Sequence, residues 1–324
     1  MPKDILPKLF LGPMSKNVIK AVCSYNKKFN LPLGFVASRR QVDYHHGYVN
    51  GFDTRAFHNY VKELNPEIIL ERDHAGPLQG HDEDDGFTSL TSDCKYFSII
   101  HIDVWKKYKN LEESALETVA AIKFCDNINN CLYEVGTEQD IRPYTSKELD
   151  LYLTILKTEL KEIFNKIIFT VIQSGTSLRG HGNLGIFNKF KLIEMIDVCK
   201  KFGIRSKEHN GDYLSSNLIK EKYSLGLDAI NIAPELGRLE TLVILDLFNK
   251  ERFESFFDLC LRSNKWKRWL GENFDCMNNK KELIEICGHY VFSTPEFKIM
   301  TRDLEYIIWK ETEDKIHTFI NGVI

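Results

Sequence analysis

Eight short apolar stretches alternate with longer segments of helical periodicity along the first 250 residues of the chain. Most of the stretches are continuously apolar, as strands covered on both faces are. Parallel strands joined by helices close into a barrel at eight strands, so the pattern predicts a (β/α)8 TIM barrel rather than an open doubly wound sheet. The predicted strands are residues 8–12, 33–38, 67–72, 97–103, 131–136, 167–173, 203–209 and 228–234.

The segments between these strands predict helices, whereas the polar residues 81–92 predict a loop followed by little regular structure. Beyond residue 250 the sequence becomes helical and rich in aromatic residues. We therefore expect a barrel over residues 1–250 and a helical extension over 251–324, packed on the barrel or used as an oligomer contact. The predicted helices of the barrel are residues 15–30, 53–64, 111–125, 146–165, 187–202, 213–226 and 239–249.

Composition and charge argue against several classes of protein. The formal net charge of −3 provides no basic surface for nucleic acid. No run of about 18 apolar residues is present to span a membrane, and lysines and prolines interrupt the apolar residues at the N-terminus, unlike a signal peptide. The eight cysteines include no CxxC pair, which indicates reduced thiols. We expect a cytoplasmic protein with neither nucleic acid nor membrane as a partner.

Polar residues collect where the apolar stretches end. In a barrel of this kind the carboxyl ends of the strands meet at one mouth, where active sites form. Ionisable groups at six or seven such ends would converge on one pocket. The candidate site residues are Arg39, Gln41, Asp73, His74, Asp103, Glu138, Ser174, Gly175, His181, His209, Asn210, Gly211, Asn231, Glu235 and Arg238.

Three histidines at separate strand ends, His74, His181 and His209, predict a divalent metal centre. Imidazole nitrogens suit Zn²⁺, and a site with three of them leaves a fourth position for substrate. Such an ion would polarise a carbonyl and stabilise an enediolate, with Asp73 as the general base. A plain surface role stays open for His181. Because neighbouring strand residues face opposite ways, Asp73 and His74 can act together only if the strand is disrupted at this point, which the following Gly76-Pro77 favours.

Substrate contacts are predicted at the remaining strand ends. Glycine-rich turns at Ser174-Gly175 and Asn210-Gly211 can offer backbone N–H groups to a phosphate, and Arg39 or Arg238 would add positive charge. Asp103 and Glu138 are expected to orient the metal ligands from behind. His101 points within a strand and is expected in the core or behind the site. Gln41, Asn231 and Glu235 complete the candidate substrate contacts.

Several of these motifs, in order, resemble the family of tagatose-bisphosphate aldolase accessory subunits, also called non-catalytic subunits. ERDHAGP (71–77) resembles the family's Gly-Asp-His-X-Gly-Pro motif and YEVGTE (133–138) its Ile-Gly-Thr-Glu segment. KEHNGDYL (207–214) resembles its Glu-Asp-His segment, and AINIAPELG (229–237) its Val-Gly-Pro-Ala run. The resemblance covers residues 8–250 in patches. Arg-Arg at 39–40 and Glu-Arg at 71–72 stand where the family has Ser-Asn and Gly-Gly.

The resemblance implies a relative of the class II aldolases, which are metal-dependent barrels. It implies that His74, His181 and His209 are metal ligands and that Asp73 is the base. The expected function is a divalent-metal-dependent aldolase or C4 epimerase that acts on a ketose phosphate by retro-aldol chemistry. Two alternatives stay open: a non-catalytic subunit that stabilises a partner class II aldolase, and a metal-free isomerase that uses Asp103 and Glu138. The expected partners are a phosphorylated ketose and either further copies of the chain or an aldolase subunit.

Overall fold

A closed barrel of eight parallel strands forms the centre of the molecule. The computed structural model describes residues 6–180 and 182–324. The strands are β1 (Leu9–Leu11), β2 (Leu33–Ser38), β3 (Ile69–Ala75), β4 (Ile99–Ile102), β5 (Leu132–Val135), β6 (Ile167–Val171), β7 (Leu178–Arg179), β8 (Gly182–Asn183), β9 (Arg205–Glu208) and β10 (Ala229–Ile232). The order around the barrel is β1-β2-β3-β4-β5-β6-β9-β10, and β10 pairs with β1 to close it. The predicted (β/α)8 fold is therefore confirmed.

Helices surround the barrel, and β7 and β8 form a small antiparallel hairpin outside it, after β6. Three short 3₁₀ segments, Lys161–Lys166, Gly288–Tyr290 and Arg302–Leu304, complete the regular structure of the described residues. The helices are α1 (Lys16–Phe29), α2 (Thr54–Leu64), α3 (Phe87–Tyr96), α4 (Leu111–Ile128), α5 (Ser146–Leu160), α6 (Lys189–Phe202), α7 (Ser216–Ser224), α8 (Pro234–Leu247), α9 (Lys250–Ser263), α10 (Lys267–Leu270), α11 (Lys280–Cys287), α12 (Pro295–Thr301) and α13 (Glu305–Val323).

Local sequence signals set several helix ends. The side chain of Ser15 accepts a hydrogen bond from the backbone N–H of Val18 and caps α1. Thr145 and Glu148 form a reciprocal capping box at the start of α5. Gly203 ends α6 with φ of +69°, a left-handed conformation that glycine adopts without steric cost. The caps at Ser15 and Thr145 thus fix the starts of α1 and α5 after the loops that follow β1 and β5.

Helix α3 lies where the sequence predicts a loop, so that prediction is wrong from Phe87 onward. Only Leu90 and Cys94 provide apolar groups for the buried face of this helix, and its other buried residues, Ser89 and Asp93, are polar. Asp93 is retained in the interior by a 2.8 Å ion pair with Arg72. A buried polar pair of this kind hides the helical periodicity of apolar residues, which is the main sequence signal.

The apolar core has two layers. Inside the barrel, Phe10 and Phe169 meet edge to face with ring centroids 5.7 Å apart. Between the barrel and the helices lies a larger core that includes Val18, Phe35 and Leu153. Apolar side chains thus fill the interior towards one end of the barrel, and the polar strand ends lie at the other end.

The helices after residue 250 pack in two places. Phe256 and Phe257 of α9 and Leu283 and Ile284 of α11 belong to an apolar cluster of their own. In contrast, α13 packs against α1 and α8 and contributes Ile316 to the main core. The division of the chain at residue 250 stays a prediction. Among the described helices, none combines the length and apolar character that a membrane span requires.

Candidate metal centre

A backbone distortion at the end of β3 brings Asp73 and His74 to the same side of the strand. His74 has φ of +45°, in the left-handed region, and the pairing of β3 with β4 shifts register between Arg72 and Ala75. The distortion places His74 Nε2 3.5 Å from Asp73 Oδ1. A non-glycine residue in this conformation costs about 1–3 kcal/mol, and such strain is concentrated at functional sites. The disruption that the sequence requires of this strand therefore lies at His74 itself.

His209, which follows β9, lies next to His74 across the barrel mouth. The ring centroids of these two histidines are 5.2 Å apart, and His101 of β4 lies 4.7 Å from His209. Potential ligand atoms of Asp73, His74, His101 and His209 all lie within 4.8 Å of one another. His101 is fully buried, and its Nδ1 accepts a hydrogen bond of 3.2 Å from the backbone N–H of His74. His101 therefore lies behind the other two histidines and supports the strained backbone.

Buried carboxylates fix which nitrogen of each outer histidine carries a proton. His74 Nδ1 lies 2.6 Å from Asp103 Oδ2, and His209 Nε2 lies 2.7 Å from Glu134 Oε1. Because an ionised carboxylate only accepts hydrogen bonds, these two nitrogens are the donors. In the neutral imidazoles, His74 Nε2 and His209 Nδ1 therefore keep their lone pairs. Carboxylate–histidine pairs of this type orient metal ligands in many sites.

The two free lone pairs face the carboxylate of Asp73. Asp73 Oδ1 lies 3.5 Å from both His74 Nε2 and His209 Nδ1, and although it is buried it has no hydrogen-bond partner. Three acceptor atoms that face one another repel unless a metal ion or a proton lies among them. Ligands about 2.0–2.1 Å from a tetrahedral ion are about 3.4 Å apart, close to the observed spacing. Two imidazoles and a carboxylate therefore fit a divalent metal ion.

The electrostatics of the cluster also favour a cation. Burial lowers the pKa of His74, but the neighbouring Asp73 and Asp103 outweigh burial and raise it to about 10. Burial raises the pKa of the Glu134 carboxyl, but Lys207 and His209 outweigh this effect and hold the pKa well below its usual range. The carboxylates are therefore ionised around the histidines, and their field stabilises positive charge.

The third predicted ligand, His181, lies outside the described residues, so its role stays a prediction. The hairpin residues on its N-terminal side, Leu178, Arg179 and Gly180, line the same cavity as the cluster.

Asp103, the partner of His74, accepts further hydrogen bonds from Thr137 Oγ1 and from the N–H of Trp105. Asp103 is thus held behind His74.

A cavity of about 900 Å³ lies over the cluster, within the range of small-molecule sites. Both the barrel strand ends and the segments after residue 250 form its wall. Seven residues predicted from the sequence line it: Gln41, Asp73, His74, Glu138, His209, Asn210 and Asn231.

The other predicted substrate contacts have partners elsewhere. The guanidinium of Arg39 binds Asp43 and Asp84, and that of Arg238 binds Glu285 at 2.6 Å. Ser174 donates to Glu208. Neither arginine is part of the cavity wall.

The glycine-rich turns are likewise engaged. The backbone N–H of Gly211 donates to the carbonyl oxygens of His209 and Asn231, and Glu235 accepts the N–H of Tyr213 at 2.7 Å. Gly175 has φ of +94° and lies against the carbonyl of Ile186. Because glycine has no Cβ, the two backbone segments can approach each other closely here. The N–H of Gly211 is therefore already satisfied by the protein, and these three residues are not part of the cavity wall.

Several cavity residues are not identified by sequence reasoning. Arg40 lines the cavity in place of its neighbour Arg39, and the sequence does not distinguish which of two adjacent arginines faces inward. Lys106 lies beyond the end of β4, and the strand-end pattern there identifies Asp103 instead. Arg268 and His289 come from the segments after residue 250, which have no strand-end signal. Only long-range packing brings these residues to the barrel mouth.

Solved structures of several sugar enzymes resemble the chain over nearly its whole length. A probable tagatose 6 phosphate kinase from Sinorhizobium meliloti 1021 has a TM-score of 0.77 at 14% identity, covering 98% of this chain and 94% of that one. A fructuronate-tagaturonate epimerase from Cohnella laeviribosi has a TM-score of 0.65 at 11% identity, covering 98% and 83%. A fructose-bisphosphate aldolase from Campylobacter jejuni has a TM-score of 0.58 at 15% identity, covering 98% and 89%.

The chain shares its fold with these enzymes. No protein-family model matches the sequence, and no curated protein matches it either. At identities of 11–15% the likeness establishes the architecture and leaves the chemistry to the site itself.

Proposed function

We propose that the protein is a divalent-metal-dependent enzyme that cleaves or epimerises a ketose phosphate by retro-aldol chemistry. The convergence of His74 Nε2, His209 Nδ1 and Asp73 Oδ1 at the floor of an open cavity is the observation that carries this proposal. Two fold relatives named as a sugar aldolase and a sugar epimerase support it. The resemblance of the strand-end motifs to tagatose-bisphosphate aldolase accessory subunits supports it as well.

His74 and His209 would hold the ion, and Zn²⁺ is the metal that these ligands suit best. When bound, the ion would act as a Lewis acid: it would polarise a ketose carbonyl and stabilise the negative charge that develops beside it. Asp103 and Glu134 keep the two imidazoles in the tautomers that leave Nε2 and Nδ1 free. The role of these two carboxylates is positioning, because each acts through a histidine.

Proton transfer falls to carboxylates on the cavity wall. Asp73 lines the cavity. With Oδ1 towards the ion, its second oxygen, Oδ2, would take the proton of the C4 hydroxyl before the C3–C4 bond breaks. Glu138 also lines the cavity, and its charge acts on His74. Cleavage turns C4 into an aldehyde and leaves the electron pair of the bond on the enediolate at C3. In an epimerase the enediolate would attack the other face of the aldehyde, and the C4 oxygen would take back its proton. In an aldolase the enediolate would take a proton at C3, and the two fragments would leave.

The first experiment is a zinc titration of chelator-stripped protein. We expect about one tightly bound equivalent in the wild type and its loss in the His74→Ala and His209→Ala variants. His45→Ala is the matched control, because His45 is exposed and lies outside the cluster and the cavity. Equal zinc binding by wild type and both cluster variants would contradict the proposed metal site.

The second experiment is a screen of ketose phosphates for triose phosphate release or C4 inversion. Activity that disappears with chelator and returns with Zn²⁺ is expected. Activity that persists in strong chelator would instead support a metal-free isomerase that uses Asp103 and Glu138.

A non-catalytic partner subunit is the second candidate function. Leu184, Ile186 and Phe190 are exposed large apolar side chains close together in the chain, from the end of β8 to the first turn of α6. Exposed apolar groups of this kind favour a protein contact. In that case the purified chain would show no turnover alone, and it would raise the stability of an added class II aldolase subunit.

A further inference from the structure

Two buried side chains on the cavity wall have no hydrogen-bond partner. His289 is only 3% exposed and Asn231 only 4%, yet both ring nitrogens of His289 and both amide atoms of Asn231 are unpaired in the structure. Both residues line the cavity above the metal cluster. Because buried polar groups are almost always hydrogen-bonded, these four atoms mark where the polar groups of a ligand lie.

Basic side chains line the same cavity, and three of those without a carboxylate partner in the described part of the chain affect one another's charge. These are Arg40, Lys106 and Arg268. The contact that Arg40 makes is a long one, from Nε to the carbonyl oxygen of Gly80 at 3.4 Å. Burial and the charge of Arg268 lower the pKa of Arg40, and burial, Arg40 and Arg268 lower that of Lys106. The three charges are thus close enough to repel one another.

Acidic groups of the cavity do not neutralise these cations. Asp103 and Glu138 act on Lys106, but its pKa still falls. Asp140 accepts from the Ser177 hydroxyl and a backbone N–H. Asp212 accepts backbone N–H groups of residues 233 and 235, and burial raises its pKa to about 8. An anionic ligand would therefore relieve the repulsion among Arg40, Lys106 and Arg268.

The segments after residue 250 supply two of these groups, Arg268 and His289, as one packed unit. The guanidinium of Arg268 stacks on Trp269, whose Nε1–H donates to the hydroxyl of Tyr290 at 3.0 Å. Tyr290 in turn stacks on His289, with ring centroids 4.1 Å apart. The other side of His289 packs against Gly237, where any Cβ would lie 2.9 Å from the Cβ of His289. His289 is thus held in place without any polar contact.

We propose that Arg40, Lys106 and Arg268 bind the anionic end of an open-chain sugar, while His289 and Asn231 hydrogen-bond its hydroxyl groups. This inference rests on the proposed function, because it places the other end of the same sugar at His74 and His209. The anionic group is a phosphate or a carboxylate, since both accept hydrogen bonds from guanidinium groups. The helices after residue 250 thereby determine which sugars the barrel accepts.

Direct binding measurements test this assignment independently of turnover. The probes are fructose 6-phosphate, fructuronate and uncharged fructose, each titrated calorimetrically into metal-loaded and chelator-treated full-length protein. We expect at least one charged probe to bind tenfold or more tightly than fructose. The stronger of the two charged probes identifies the anionic group as phosphate or carboxylate.

Three variants locate the binding groups. Arg268→Ala, at an exposed position that folding tolerates, should remove at least tenfold of the affinity for the charged probe and leave fructose unchanged. Arg40→Gln should do the same, whereas His289→Ala should weaken charged and uncharged probes alike. Arg252→Ala is the control, because Arg252 pairs with Asp303 away from the cavity.

The outcomes separate this inference from the proposed reaction. If the wild type binds charged probes selectively and Arg268→Ala loses this selectivity, the anion site is supported. If the same wild type shows neither turnover nor zinc binding, the retro-aldol proposal is wrong. Zinc binding and turnover with no effect of Arg268→Ala and Arg40→Gln on the charged probes would overturn the anion site alone. Equal affinity for all three probes, or no binding of any of them, would overturn it as well.

Discussion

Lys207 is the most sharply testable residue of the barrel interior. Its Nζ lies 2.5 Å from Glu71 Oε2 and 2.8 Å from Glu134 Oε2, and all three side chains are fully buried. Burial and the nearby Glu134 raise the pKa of Glu71 well above its usual value. Glu71 therefore holds a proton more readily than an ordinary carboxyl, and Glu134 is the carboxylate that balances the charge of Lys207.

Lys207→Met removes the cation and leaves the Glu134 carboxylate buried with His209 as its remaining partner. Breaking a buried ion pair on one side costs roughly 3–5 kcal/mol, because the remaining charge is uncompensated. We expect a loss of this size in the free energy of unfolding. The measurement is urea denaturation followed by tryptophan fluorescence, with linear extrapolation to water.

Lys201→Met is the matched control for this experiment. Lys201 also lies 2.5 Å from a carboxylate, that of Asp150, but the two side chains are 60% and 34% exposed. An exposed pair contributes at most about 1 kcal/mol. Combining Lys207→Met with Glu134→Gln should recover a large part of the loss, since the second change removes the unpaired charge. A Lys207→Met variant no less stable than Lys201→Met would refute the reasoning.

Three further predictions follow from the same structure. Glu134→Gln should weaken zinc binding by about 10–100-fold, because the hydrogen bond that orients His209 is weakened; unchanged zinc affinity would argue against a ligand role for His209. Burial raises the pKa of Glu240 from 4.5 to about 7, so the folded state binds its proton more tightly than the unfolded state does. Wild-type stability should therefore fall by about 3 kcal/mol relative to Glu240→Gln as pH rises from 4.5 to 7, and parallel pH profiles of unfolding free energy would contradict this. Seven of the eight thiols are buried and Cys276 is partly exposed, so a thiol reagent should label Cys276 first in the native protein; rapid labelling of several thiols, read by peptide mass spectrometry, would show that the core is more open than the structure indicates.

The sequence alone determined the barrel, because eight apolar stretches separated by helical segments bury both faces of a parallel sheet in one way. It also placed Asp73, His74 and His209 at strand ends, and the carboxyl ends of parallel strands meet at one mouth. These features depend on the local pattern of apolar residues and on the rule that the carboxyl ends of barrel strands meet at one mouth, so the sequence is enough to predict them.

Only the tertiary structure decided how those ends form a site. The left-handed backbone of His74, which turns two adjacent residues to one side, depends on the shifted pairing of β3 with β4. The pairing of Arg39 with Asp84 leaves Arg40 to face the cavity, and no periodicity distinguishes these neighbours. Arg268 and His289 reach the mouth because helices far along the chain pack beside the barrel. Contacts between distant segments depend on the shape and packing of the whole fold, so local sequence patterns do not predict them.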